Sequence, residues 1–251
     1  MKFTFSIITS DNSIDTHIEQ TIDSIFGNNI PSESYEIIVI GGDGEWYDYE
    51  KHNGNVKWVA VDESLDENWY AKKKNMVVEF AKFDNIVYSH DYFLYDVNWY
   101  NGFLKFRDDW DICMCVLINT NGHRYRDWFA WDDIELCNSP KIGGNWNPNH
   151  EIALVPYDYN KTQNMAISGG WWVAKKHVMI EEPIHKDLRW GEGEDTEWSM
   201  RVREKYKYVM NTNSIVRLLR EKRLSSYYVE GDEKYTTLGW ENKINDKVNY
   251  I

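Results

Sequence analysis

Two carboxylate-bearing stretches of this 251-residue chain have the residue types for chemistry. The first is Ile86-Val-Tyr-Ser-His-Asp-Tyr-Phe-Leu-Tyr95, an apolar run that stops at Ser89-His90-Asp91. A strand that ends on a carboxylate has two readings. It is either a polar exit from the core or a ligand for a metal at the carboxyl edge of a sheet, where open α/β folds bind their ligands. The second stretch is Gly191-Glu-Gly-Glu-Asp195, which opens an amphipathic helical pattern from Glu194 to Lys205. Asp195 or Thr196 can cap that helix, and the free N–H groups of a first turn hold a carboxylate in place. Basic residues form two further groups. Lys72, Lys73 and Lys74 sit on a helix face that is either solvated or turned to an anion, and Arg217, Arg220, Lys222 and Arg223 form either a charged helix or an anion-neutralising cluster.

These residues need a scaffold to hold them. Lys2–Thr9 reads as a buried strand, and a polar turn, Ser10–Ser13, leads to a helix with Ile14, Ile18, Ile22 and Ile25 on one face. Tyr35–Ile40 is a second strand, ended by Gly41-Gly42-Asp43-Gly44, and Val56–Val61 is a third. A helical pattern runs over Asn68–Phe83, and Ile86–Tyr88 is the fourth strand. This alternation predicts an α/β domain with a mostly parallel central sheet flanked by helices. Asp111–Ile118 is another buried strand, whose Cys113 and Cys115 share one face and pack. A long polar segment from Asn119 to about Gln163 follows, with Trp128, Trp131 and Trp146; loops of that length in compact domains are usually functional or mobile. Order returns with Met165–Ala174, the helix from Glu194, and a short strand at Tyr208–Met210.

Composition narrows the function. With 41 acidic against 28 basic residues the net charge is -13, which argues against nucleic acid, because phosphate backbones require a basic footprint. An anionic ligand therefore needs local help from Lys, Arg or a divalent cation. Three cysteines, an odd number with no CxxC pair, suit a reducing compartment. The start has too short an apolar run for a signal peptide, and no run approaches the ~20 residues of a membrane span, so the expectation is a cytoplasmic protein with no transmembrane segment. Many of the 13 tryptophans and 17 tyrosines can serve the core, but several lie in polar surroundings that suit a sugar face or an interface.

The order of these motifs resembles the GT-A glycosyltransferases, especially the inverting family 2, over residues 3–216. Thr9, Ser10 and Asn12 stand where that family has a polar donor-binding motif after the first strand. Where the second strand normally ends in nucleoside-binding aspartates this chain has Gly41 and Gly42, with Asp43 one position late. Ala71-Lys-Lys-Lys-Asn75 resembles the family's alanine, basic residue and asparagine, which implies that Lys74 approaches the donor phosphates. Ser89-His90-Asp91 falls in the DxD slot, so the resemblance implies that Asp91 binds a divalent cation, Mn2+ or Mg2+, bridging the donor diphosphate, with Ser89 and His90 beside it. Ile167-Ser-Gly-Gly-Trp-Trp172 resembles the acceptor-side strand, and Glu194-Asp195 the acidic motif that supplies the base. Gly169, Gly170, Trp171 and Trp128 are accordingly acceptor-binding candidates, and Asp195, with Glu194, the catalytic ones. No histidine lies in Asn211–Arg223, where many members supply a further metal ligand.

The resemblance implies a single GT-A domain that moves a sugar from a nucleotide diphosphate donor to a hydroxyl acceptor, such as a growing polysaccharide, with inversion. Residues 1–110 would form the nucleotide-binding half, 111–223 the acceptor half and 224–251 a tail. Two alternatives stand beside it. A nucleotidyltransferase shares the core but needs a glycine-rich basic loop where SDNSID stands, and an inactive glycan-binding or scaffold protein would explain the missing acids at Gly41, Gly42 and Ser89.

Overall fold

The structure, a computed structural model, describes residues 1–10, 15–45, 47–52, 54–64, 69–131, 152–188, 192–222 and 227–228. Among them the strands are β1 (Phe3–Ile8), β2 (Tyr35–Ile40), β3 (Val56–Val59), β4 (Asn85–His90), β5 (Phe93–Tyr95), β6 (Ile112–Ile118), β7 (Phe129–Trp131), β8 (Ile152–Leu154), β9 (Met165–Ala166), β10 (Trp171–Lys175), β11 (Tyr208–Leu218) and β12 (Tyr227–Tyr228). The helices are α1 (Asp15–Phe26), α2 (Tyr70–Phe80), α3 (Trp99–Phe106), α4 (Lys176–Glu181) and α5 (Glu194–Val202). No described helix is long and apolar enough to cross a membrane.

Eight strands form one sheet in the order β3-β2-β1-β4-β10-β6-β11-β5, and β12-β8-β7-β9 form a second, smaller one. In the large sheet β3, β2, β1 and β4 pair in parallel, as their near-continuous Ile and Val runs require when helices cover both faces. β10 then enters antiparallel between β4 and β6, β11 runs parallel to β6, and β5 antiparallel to β11. These directions have a consequence for chemistry. The ends of β1, β2, β4, β6 and β11 and the starts of β10 and β5 all emerge at one edge, which gathers Thr9, Gly41, Asp91, Tyr92, Asn119, Gly169, Gly170 and the chain after Leu218.

The core has an aromatic layer on each face of β10. Trp171 meets Trp99 edge-on at 6.5 Å, within a cluster that includes Phe3, Phe5 and Phe103. Trp172 stacks on Tyr88 at 4.5 Å and lies 6.2 Å from Trp198 of α5. Such offset and edge contacts add about 0.5–1.5 kcal/mol per pair beyond burial.

Several sequence expectations change here. β4 runs on through Ser89 and His90, and Asp91 is the first residue of the turn that follows. β3 stops at Val59, and the segment Met165–Ala174 is broken at Ser168–Gly170 into β9 and β10. The long polar segment contains β7 and β8, and Trp146 and the Gly143-Gly144 pair lie outside the described residues. The late strand extends to Leu218, so Arg217 is a strand residue and Arg220 and Lys222 follow it, which replaces the charged-helix reading. Cys113 and Cys115 are free and buried in β6, as packing predicts; Cys137 lies outside the described residues.

Candidate active site

Asp91 is held from below. Thr9 Oγ1 donates to its Oδ2 at 2.7 Å, and Thr21 Oγ1 to its backbone carbonyl at 3.1 Å. The neighbouring His90 packs on Tyr70 with ring centroids 4.9 Å apart, and Ser10 reaches the hydroxyl of that same Tyr70. Burial, and then Lys74, Lys222, Arg220 and Lys73, hold the His90 imidazole well below its usual pKa, so it is neutral at pH 7. Its Nε2 is buried without a hydrogen-bond partner among the described residues. Ser89 is turned inward, its hydroxyl donating to the His90 carbonyl at 2.8 Å.

Two of the three lysines of α2, Lys73 and Lys74, are neutralised inside the protein. Lys73 Nζ donates to the Thr9 carbonyl at 2.6 Å and pairs with the buried Glu63. Lys74 Nζ donates to Glu194 Oε1 at 2.9 Å and lies 5.1 Å above the Trp172 ring. The Lys74 side chain, 1% exposed, is committed to Glu194 next to Asp195, and its charge reaches both Asp195 and His90. Gly41 likewise explains the absent acid after β2. At φ +118° an added Cβ there would sit 2.2 Å from the Thr9 carbonyl oxygen, so no side chain fits. Asp43 is exposed, with its Oδ1 accepting from Glu45 N at 3.1 Å, and Asn12 lies outside the described residues.

Glu194 and Asp195 open α5 after Gly193, whose φ of 77° turns the chain into the helix. Asp195 Oδ1 accepts from the Thr196 amide at 2.9 Å, while its Oδ2 lies against Gly169; a Cβ on Gly169 would be 2.3 Å from that oxygen. Gly169 is therefore the gap into which the carboxylate fits. The next residue, Gly170, accepts from His90 N at 2.9 Å, which ties Asp195 to the end of β4 through one strand spacing. Burial, and secondarily the Glu194 charge, raise the Asp195 pKa above the ordinary carboxylate value, against the pull of Lys74 and the Thr196 amide. A carboxylate so tuned is a better proton acceptor than a solvated one.

The aromatic acceptor candidates are placed differently from expectation. Trp171 is fully buried against Trp99, and Trp128 is buried on Tyr208 at 5.2 Å with its Nε1 donating to the Tyr159 carbonyl at 3.1 Å. Both rings are core, because β10 is an interior strand and Trp128, just before β7, packs on Tyr208 of β11. Arg124 and Asp127 form a buried pair at 2.8 Å, with Tyr157 Oη also donating to Asp127 at 2.6 Å, so this part of the loop is scaffold. Between them lie Tyr125, whose hydroxyl is in the fields of Arg126, Asp195 and Arg220, and Arg126, at an unusual φ of 36°; in the sequence, the run of aromatic and charged residues from His123 to Trp128 marks this stretch as suited to a sugar or an interface. Backbone strain of that kind concentrates at functional sites.

Tyr92 carries two cations: Arg220 Cζ is 3.8 Å and Lys222 Nζ 4.8 Å from its ring centroid. Asn119 fixes the Lys222 backbone from both sides, donating to its carbonyl at 2.6 Å and accepting from its amide at 3.0 Å. Burial, then the Arg220 and Arg126 guanidiniums, lower the Lys222 pKa to about 8, with Asp91 opposing. A cavity of about 680 Å³ lies at the far edge, among Asn85, Trp110, Asp111 and Lys207, but its four lysines face four aspartates, with Lys175 paired to Asp108 and Lys207 to Asp109 at 2.6 Å, so it offers a diphosphate no surplus charge.

The donor set at Asp91 does not suit a protein-held divalent ion. No three His, Cys, Asp or Glu side chains among the described residues converge to hold one. Asp91 contributes one carboxylate, already accepting from Thr9, and it stands in the field of Lys222. Hard cations take several oxygen ligands, so an ion at Asp91 would have to draw nearly all of them from a bound diphosphate and water, against the Lys222 charge.

No family model matches the sequence, and no curated protein matches it. Solved structures do match. A fragment of TarS from S. aureus superposes with a TM-score of 0.56 at 16% identity, covering 92% of this chain and 60% of that one. GalNAc-T7, determined with UDP, GalNAc and Mn2+, gives a TM-score of 0.62 at 17% identity over 97% of this chain and 47% of that one. The mannosyltransferase PcManGT from Pyrobaculum calidifontis, in complex with GDP-Man and Mn2+, gives 0.57 at 15% identity over 88% and 58%. This chain thus spans about half to three-fifths of each of these proteins. The strand order, the open edge and these likenesses together show that the chain has the GT-A nucleotide-sugar transferase fold.

Proposed function

We propose that the protein transfers a sugar from a nucleoside diphosphate donor to a hydroxyl of a glycan acceptor, with inversion. The observation that carries this reading is Asp195, whose carboxylate fits over Gly169 at the sheet edge that also bears Asp91, Arg220 and Lys222. In this account the acceptor oxygen attacks the anomeric carbon from the Asp195 side. The bond from that carbon to the diphosphate oxygen breaks and its electron pair leaves on the diphosphate, while the acceptor proton passes to Asp195. Residues 1–110 supply the floor of the nucleotide site, and residues 111–223 supply Asp195 and the acceptor side. Ser10, Thr9 and the neutral His90 line the donor floor, and Gly170 lets an acceptor approach the backbone beside Tyr92. The fold's relatives GalNAc-T7 and PcManGT were determined with Mn2+, but the donor set around Asp91 assigns no step to a metal here.

The test is release of free nucleoside diphosphate from a panel of UDP-, GDP-, CDP- and TDP-sugars in the presence of mixed glycan acceptors. One donor consumed in an acceptor-dependent way is the expected result. A folded protein that consumes none would overturn the reading.

A further inference from the structure

The charge balance at the open edge points beyond the family's usual arrangement, on the reading that the site holds a nucleoside diphosphate. In a chain of net charge -13, four cations act on one imidazole: Lys73, Lys74, Arg220 and Lys222 all depress His90. Two of them are cancelled internally, Lys73 by Glu63 and Lys74 by Glu194. Arg220 and Lys222 are not spent in that way. Both rest on the face of Tyr92, and the carboxylate acting on Lys222 is Asp91. With Arg126 beside them and Asp195 across the edge, three cations face two carboxylates, which leaves a positive surplus at the strand end where the resembling enzymes bring a metal.

The pair is also built. Leu219 N donates to the Tyr92 carbonyl at 2.8 Å, and the two hydrogen bonds from Asn119 hold Lys222 from the other side. The chain from 219 to 222 is thus anchored to β5 and to the end of β6, so neither cation must be ordered when an anion arrives. Preorganised charge of this kind is what a leaving diphosphate requires, and a guanidinium with an ammonium supplies it through charge-assisted hydrogen bonds. A divalent ion placed beside Asp91 would instead be repelled by both.

We propose that Arg220 and Lys222, seated on Tyr92, form a diphosphate clamp that neutralises the leaving group in place of a metal held by Asp91. Asp91 then serves to orient the donor and to space the two cations.

Calorimetric titration with UDP, GDP, CDP, TDP and inorganic pyrophosphate, each in EDTA and in Mn2+, tests this on the wild type, on Arg220→Gln/Lys222→Gln and on the charge-preserving Arg220→Lys/Lys222→Arg. The clamp predicts that at least one probe binds in EDTA, that the neutral double variant weakens it by at least about tenfold, and that the charge-preserving variant retains most of the affinity. Binding only with Mn2+, unchanged in the neutral double variant, would overturn the clamp and leave the transferase reading standing. No binding of any probe in either condition would overturn that reading and the clamp with it. Should the neutral variant fail to fold, the wild-type titration in EDTA decides alone.

Discussion

Asp195→Asn is expected to lower sugar transfer by about 10²–10⁴-fold while raising thermal stability at neutral pH. The loss follows from removing the proton acceptor, since asparagine keeps the size of the side chain and its fit over Gly169 but has no basic oxygen. The stability gain follows from the sign of the pKa shift. A carboxyl whose folded pKa is raised binds its proton more tightly in the native state, so its contribution favours folding below the unfolded value and is lost as pH rises through the folded value. At pH 7 the ionised Asp195 therefore opposes folding, and the amide relieves it. Melting curves of wild type and variant should separate at pH 7 and converge as the pH falls below the ordinary carboxylate range. The wild-type rate should fall on acidification at a pH above that range, as Asp195 takes up its proton. Full activity in a folded Asp195→Asn protein would remove Asp195 from the mechanism. Stability exchanged for function in this way is a common property of active sites.

The second large effect is expected at Lys74. Its ammonium and the Glu194 carboxylate are both buried, and the side chains are 1% and 11% exposed. Lys74→Met fills a similar volume but leaves Glu194 as an uncompensated buried charge, which destabilises by about 3–5 kcal/mol. For a chain of this size each kcal/mol lowers the melting temperature by about 2–4 °C, so the fall should be evident in any thermal scan. The double variant Lys74→Met/Glu194→Gln should recover much of it, because both charges are then gone. If Lys74→Met were as stable as the wild type, the pair would not be the buried contact described. The same variant bears on mechanism. Lys74 lowers the Asp195 pKa, so its loss should push the acid limb of the rate profile to higher pH.

Much of the first half of the chain is legible because its signals are local. Tyr35–Ile40 is one continuous apolar run closed by glycines, and Ile18, Ile22 and Ile25 keep helical spacing; both elements form where the patterns lie. The apolar pattern of β11 stops at Met210 because Asn211 and Ser214 interrupt it. In the fold these two are buried, bonded to each other at 3.0 Å, with Ser214 also donating to the Trp99 carbonyl at 2.8 Å at a bulge against β6. That arrangement needs a helix, α3, more than a hundred residues earlier in the chain. The same holds for the site. Asp91 and Asp195 stand out by type and by position at element ends. The partner of Lys74 lies 120 residues away, and the seat of Arg220 on Tyr92 exists only once β5 pairs with β11. The tryptophans misled for a related reason. Trp171 follows a small-residue run that resembles an acceptor strand, but β10 inserts between β4 and β6 and the Trp171 ring is buried.

The central claim is a single displacement at the anomeric carbon with Asp195 taking the acceptor proton, and the anomeric configuration of the product tests it most directly. Once the donor panel has given the accepted nucleotide sugar, proton NMR of the first-formed glycoside reads that configuration before any mutarotation. The account predicts inversion, a β-linked product from an α-linked donor. Retention would contradict it, because one attack from the Asp195 side cannot return the sugar to its starting configuration.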